Sequence, residues 1–187
     1  MHIRTAKASD AAAIAQVHVD SWRTTYKGIV PDDFLASLSY EQRGQLWHQV
    51  LSDASGPSFV YVAEDARGKL VGFASGGPER TGDPLYTGEL YAIYLLAQHQ
   101  GKGIGRQLAI TLVSRLRQEG MTALLLWVLA ENPSRKFYER LGGRPISEKT
   151  VMIGGVPLIE VAYGWRDTRM IIKQSELPQR PGFNGMG

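Results

Sequence analysis

The 187-residue chain contains no cysteine. That absence rules out a disulfide framework, a thiolate nucleophile and a cysteine-based metal site. No apolar run approaches the 18 residues that suggest a membrane span, and the opening MHIRTAKASD lacks the apolar core of a signal peptide. The default location is therefore cytoplasmic. No strong charge of one sign is present: 21 Lys and Arg face 18 Asp and Glu, a net +3 spread along the chain. Nucleic-acid binding is not indicated by so mild an excess. The four histidines, His2, His18, His48 and His99, show no zinc-ligand spacing, so no metal is expected. Internal repeats are absent too.

What remains is an ordinary globular composition, 43 % hydrophobic and 21 % charged. Hydrophobic spacing and breaker residues predict one α/β domain with a mixed sheet. His2–Thr5 reads as a first strand, with Ser9 and Asp10 offering an N-cap for a helix over 11–26. A second helical region is expected between Pro31 and Leu51. Strands follow at 59–64 and 70–75 around an Asp65–Lys69 turn, then a loop over 76–88, then an apolar strand at 89–96 with a central position. Ile104, Leu108, Leu112 and Leu116, widened by Ala109 and Val113, form the clearest helical stripe. A strand over 123–129, a short helix ending at Gly142-Gly143, and a hairpin of 146–153 with 156–165 complete the pattern. Residues 1–167 read as one domain and 168–187 as a polar tail, its end (179–187) flexible in composition.

The feature that points to chemistry is QHQGKGIG, Gln98 to Gly105, between an apolar strand and that helix. Three alternate glycines, at 101, 103 and 105, leave helix-start N–H groups open to an anion such as a pyrophosphate. The G-x-G-x-G spacing misses the dinucleotide fingerprint by one place, since Arg106 follows, and it is no P-loop. Glu131, at the end of the next strand, could serve a dinucleotide's ribose, so a nucleotide-dependent oxidoreductase stays open. A glycine-rich turn with no ligand stays open as well.

The order ELYAIYLL, QHQGKG, helix, strand and then NPSRKFYERLG (132–142) resembles the GNAT superfamily of acyl-CoA-dependent N-acetyltransferases. The specific match covers 89–142, and the order of elements fits from Met1 to about Arg166. The resemblance implies an acyl-CoA N-acyltransferase fold: a central mixed sheet of six to seven strands flanked by about four helices. It implies that Gln98, Gly101 and Gly103 belong to a pyrophosphate loop, with N–H groups of Gln100, Gly101, Lys102, Gly103, Ile104, Gly105 and Arg106 around the phosphates. Ile93, Tyr94 and Leu95 match the strand end that pairs with the pantetheine arm, much as an added strand would. Asn132 matches the residue that bonds the pantetheine or a nearby water, and Tyr138 the tyrosine beside the cofactor sulfur, a general acid.

Glu89, at the start of that strand, is the leading general base, with Asp83 and His99 as weaker alternatives. Trp22 and Tyr26, one turn apart on the first helix, are candidates to wall the acceptor pocket and hold an amine by their ring faces. The resulting expectation is sequential transfer of an acetyl group from acetyl-CoA, the co-substrate, to a primary amine of a small molecule or peptide. No nucleic acid or membrane partner is expected, and a homodimer is compatible with exposed edge strands. The competing class is a module that binds acyl-CoA and catalyses nothing.

Overall fold

The computed structural model describes residues 1–53 and 55–173. One seven-stranded sheet runs through the molecule in the order β1-β2-β3-β4-β5-β7-β6. Its strands are β1 (His2–Thr5), β2 (Phe59–Glu64), β3 (Leu70–Pro78), β4 (Gly88–Leu95), β5 (Leu124–Leu129), β6 (Arg144–Ile153) and β7 (Val156–Trp165). The helices are α1 (Ala11–Thr25), α2 (Asp32–Ser37), α3 (Tyr40–Ser52), α4 (Ile104–Gln118), α5 (Arg135–Arg140) and α6 (Arg169–Lys173). None of these helices is long and apolar enough to cross a membrane.

The period-two pattern of the strands places their side chains on opposite faces. Val62 and Phe73 pack with Ile14, Val17 and Trp47 under α1 and α3. Ala63, Val71 and Ala74 meet Leu108, Leu112 and Leu116 of α4 on the other face. All six positions of the expected α4 stripe are buried.

The sheet consists of two halves. The first, β1 to β4, is antiparallel throughout. The second is the β6–β7 hairpin with β5 paired to β7 along its whole length. Only β4 and β5 join them, in parallel, and they register at just Gly88↔Leu124 and Glu89↔Leu125. A register shift between Ser75 and Gly76 leaves Tyr91 as an extra residue on β4, and such a bulge bends its strand. At the junction, a Cβ on Gly88 would meet the Cβ of Met121 at 3.0 Å and the Leu124 side chain more closely still, so the close approach needs glycine. Beyond Glu89 the two strands part.

Several expectations change. The region 31–51 is two helices, because Leu38 and Ser39 are extended and the Ser39 hydroxyl accepts from Gln42 N at 3.2 Å to start α3. Asp10 does not cap α1 through its side chain. Its carboxylate accepts from Lys7 N and pairs with Arg4, which also holds Glu64 and so ties β1 to β2. β3 runs on to Pro78, which shortens the 76–88 loop. Helices number six rather than about four among the described residues. Residues 168–173 of the expected tail pack on the domain: Thr168 is buried, its hydroxyl donating to Thr122 O and accepting from Arg117, and Ile171 of α6 is buried against the α4 side. The remainder of that tail lies outside the described residues.

His18 lies among Trp22, Trp47, Phe73 and Tyr94, stacked on Tyr94 at 4.9 Å. Trp47 Nε1 donates to its Nδ1 at 3.2 Å, which requires that nitrogen to be unprotonated. Burial, aided by the charge of Arg43, pushes its pKa down from 6.5 to about 3. The unfolded chain binds a proton near pH 6.5 that the folded chain refuses until about 3. Stability contributed by neutral His18 is therefore full above 6.5 and falls as pH drops, at most about 1.4 kcal/mol per pH unit. Urea titrations of wild type and His18→Phe between pH 7 and 4 should show a shallower acid decline in the variant; equal slopes would assign that decline to other groups.

Candidate functional site

Where β4 and β5 part, a cleft of about 660 Å³ opens between residues 90–95 of β4 and 126–128 of β5. The N-terminus of α4 closes one end, α5 one wall, and the last turns of α1 another. From Leu90 onward the β4 edge facing β5 has no strand partner, so its backbone polar groups are available to a ligand.

The glycine loop forms the α4 end of the cleft. Gly101 and Gly103 are left-handed, at φ 72° and 80°, and Gly103 is the N-cap of α4. A Cβ on either would meet no protein atom within 4 Å, so the glycines keep a cradle open as well as make the turn. The first free N–H groups of a 15-residue helix start there, at the positive end of its dipole. Gly101, Gly103, Gly105 and Arg106 line the cleft, and the Arg106 Nε is buried without a partner. Gln100 lines it too, its amide donating to Leu95 O at 3.1 Å. Lys102 and Ile104 contribute no side chain. Lys102 is exposed and donates to Gln98 O at 2.8 Å, while Ile104 is in the core.

Ile93, Tyr94 and Leu95 line the strand side as expected. Tyr94, Tyr26 and Tyr138 bring their rings to the same space, and burial raises all three phenol pKa values, Tyr138 far above its ordinary 10. Tyr138 is only 7 % exposed, because α5 lays it against Tyr163 and Phe137. Asn132 is buried at the cleft wall with its amide engaged. Its Oδ1 accepts from Ser134 N at 2.8 Å, starting α5, and its Nδ2 donates to the Tyr26 hydroxyl at 3.2 Å. Asn132 therefore fixes Tyr26 and α5 before any ligand arrives.

Of the aromatic pair, Tyr26 lines the cleft and Trp22 does not. Trp22 sits behind it, ring centres 4.7 Å apart, and its Nε1 donates to the Tyr94 hydroxyl at 2.9 Å. Its role is support.

Glu89 lies outside this cleft. Only 3 % exposed, it lines a second space of about 310 Å³ with Arg80, Thr81, Tyr91, Trp127, Lys149 and Glu160. Both oxygens accept from Arg80: Oε2 from Nε at 3.0 Å, Oε1 from Nη2 at 2.5 Å. Tyr91 and Trp127 border both spaces, so Glu89 is one side chain away from the cleft. Asp83 stays in its loop, accepting from Leu85 N, and His99 stays in a short turn before the glycines. Sequence reading missed Arg80, Trp127, Lys149 and Glu160. Only Trp127 carried a signal, as the one aromatic residue in the aliphatic run 124–129.

Comparisons with known proteins agree with this geometry. A model of the Acetyltransferase (GNAT) family matches residues 14–143. An uncharacterized N-acetyltransferase, YuaI, of Bacillus subtilis is 43 % identical over 165 residues, 88 % of this chain and 92 % of that protein. The L-amino acid N-acyltransferase MnaT of Escherichia coli is 26 % identical, each chain covered in full. Among solved structures, yncA, a putative acetyltransferase from Salmonella typhimurium with its cofactor acetyl-CoA, aligns at a TM-score of 0.67 and 25 % identity, covering 90 % of this chain and 94 % of that one. An N-acetyltransferase from Staphylococcus aureus shares the fold at a TM-score of 0.71 and 24 % identity, covering 89 % and 98 %.

The cradle can be tested directly. Gly103→Ala puts a Cβ into the open space and imposes left-handed strain, roughly 1–2 kcal/mol. Calorimetric titration with coenzyme A should show affinity weakened about tenfold or more. Unchanged affinity would reduce the glycines to turn formers.

Proposed function

Because this chain belongs to the GNAT acetyltransferase family, we propose that it moves an acetyl group from acetyl-CoA directly to a primary amine. The observation that carries this reading is the parting of β4 and β5 beside the α4 N-terminus. An acyl-CoA has a pyrophosphate for the N–H groups of residues 100–106 and an amide-bearing arm for the unpaired β4 edge at Ile93, Tyr94 and Leu95. That arm would dock as an added strand does. Asn132 holds the wall it passes.

The chemistry then balances simply. The amine nitrogen bonds to the thioester carbon, the C–S bond breaks, one proton leaves the amine and one reaches the sulfur. Holding both reactants in the cleft removes up to roughly 7–11 kcal/mol of barrier. A backbone N–H near Ile93–Leu95 facing the developing oxyanion adds about 2.7–4 kcal/mol. Tyr138, held protonated by burial, supplies its O–H to the departing sulfur. The amine's proton passes by way of water to Glu89 in the second space, its carboxylate oriented by Arg80. Ser21, Thr25 and Ser134 line the cleft, but none is hydrogen-bonded to a base, which favours direct transfer over an acyl-enzyme.

The test is a thiol-release assay with acetyl-CoA and a broad amine panel. CoA should appear only when an acceptor is present. Tight CoA binding with no release across the panel would leave a binding module instead. Tyr138→Phe should lower kcat by roughly 10²–10⁴ while CoA affinity holds. Glu89→Gln should lower kcat while CoA affinity holds; a variant with full kcat removes Glu89 as base.

A further inference from the structure

Tyr26 stands at the end of α1 and lines the cleft where β4 and β5 part. Its ring packs with Leu129 of β5, and its hydroxyl meets side chains from both sides of the gap. On one side is Asn132, just after β5. Asn132 Oδ1 accepts from Ser134 N, which sets the amide's orientation, so Nδ2 must be the atom that donates to the Tyr26 oxygen at 3.2 Å. On the other side is Tyr94 of β4, whose hydroxyl donates to the same oxygen. Tyr94 is fixed in turn, because the Trp22 indole can only donate and does so to the Tyr94 oxygen at 2.9 Å. Both acceptor positions of the Tyr26 oxygen are therefore filled, and its own proton is unspent. No protein group accepts that proton among the described residues; even Ser21 Oγ, another hydroxyl lining the cleft, has no partner.

From this arrangement we infer that Tyr26 is a second catalytic tyrosine, whose O–H donates to the thioester carbonyl oxygen and stabilises the oxyanion as the amine adds. The inference rests on the acetyltransferase reading and deepens it at the same site. A hydroxyl whose oxygen is already filled cannot take the amine's proton, so Tyr26 is no base; it offers one directed donor. A thioester oxygen, which can only accept, is the matching partner. The two donors on the Tyr26 oxygen polarise its O–H and strengthen the bond it makes. Burial holds the phenol protonated, so the donor is present at neutral pH. Tyr138 approaches from α5, near enough for the two phenols to act on each other's charge. With Tyr138 at the sulfur, Tyr26 is left to the oxygen, and the two phenols divide the atoms on which negative charge develops. Trp22, at 4.7 Å between ring centres, and Leu129 hold the Tyr26 ring, so the donor is in place before the reaction starts.

The experiment pairs infrared spectra of bound, carbonyl-labelled acetyl-CoA with binding and rate measurements on wild type and Tyr26→Phe. The labelled band should move to higher frequency in the variant, because a hydrogen bond to the oxygen is lost. The Kd for CoA, which has no acetyl oxygen, should be unchanged by calorimetry, and that binding also checks that the variant is folded. With an acceptor present, kcat should fall about 10²–10³-fold, the scale of one oxyanion donor, with KM little altered. An unmoved band overturns the inference, and so does a variant with full kcat. A weakened Kd for CoA with kcat unchanged overturns it too, since the donor then serves an amide of the arm. No CoA release by the wild type across the amine panel would overturn the acetyltransferase reading instead, and the infrared band would still decide whether Tyr26 bonds the carbonyl.

Discussion

Everything at the site depends on how little β4 and β5 share. Two registered pairs, at 88/124 and 89/125, hold together two halves of a sheet that otherwise follow their own partners. β4 is bent by the extra residue at Tyr91 and stays with β3, while β5 stays with β7. A sheet interior normally has no free polar edge, because an unpaired backbone group away from water is costly. Here one is exposed beside a helix N-terminus, and the molecule keeps it open with rigid supports on every side.

Those supports are aromatic and mostly pre-satisfied. Trp22 holds Tyr94, Asn132 holds Tyr26, and Ser134 is capped by the same Asn132. His18 packs behind Tyr94 as a neutral ring, which keeps charge out of that wall. A buried network whose members are paired with one another resists rearrangement, since breaking any member strands another. Among the described residues, the buried side-chain polar atoms left unpaired are Ser21 Oγ, Arg106 Nε and Trp127 Nε1, all on residues that line the cleft. The cleft is thus preorganised, and its residual donors lie close to where ligand oxygens are expected.

Much of the architecture was legible because its signals are local. The four-residue repeat from Ile104 to Leu116 needs no partner to identify α4, and all of it is buried. Gly101 and Gly103 marked the turn before α4, and the structure adds that both are left-handed. The misreadings share another cause. Trp22 lies in the expected segment, yet its ring stands behind Tyr26 and its Nε1 donates to Tyr94, a neighbour that sequence cannot name. Asp10 resembles an N-cap by position, but Arg4, brought up by β1, engages its carboxylate instead.

The sequence by itself determined the order of elements, the glycine-rich start of α4 and the membership of the family, since each is written in contiguous spacing. Tertiary structure alone decided the two-room site. Arg80, Glu89, Lys149 and Glu160 come from the loop after β3 and from strands β4, β6 and β7, spread over eighty residues of chain. Sheet order places them together, through pairings such as Lys149↔Glu160 and Leu129↔Glu160. No local rule links those positions, because the distance between charges is set by how strands cross and not by how residues follow one another.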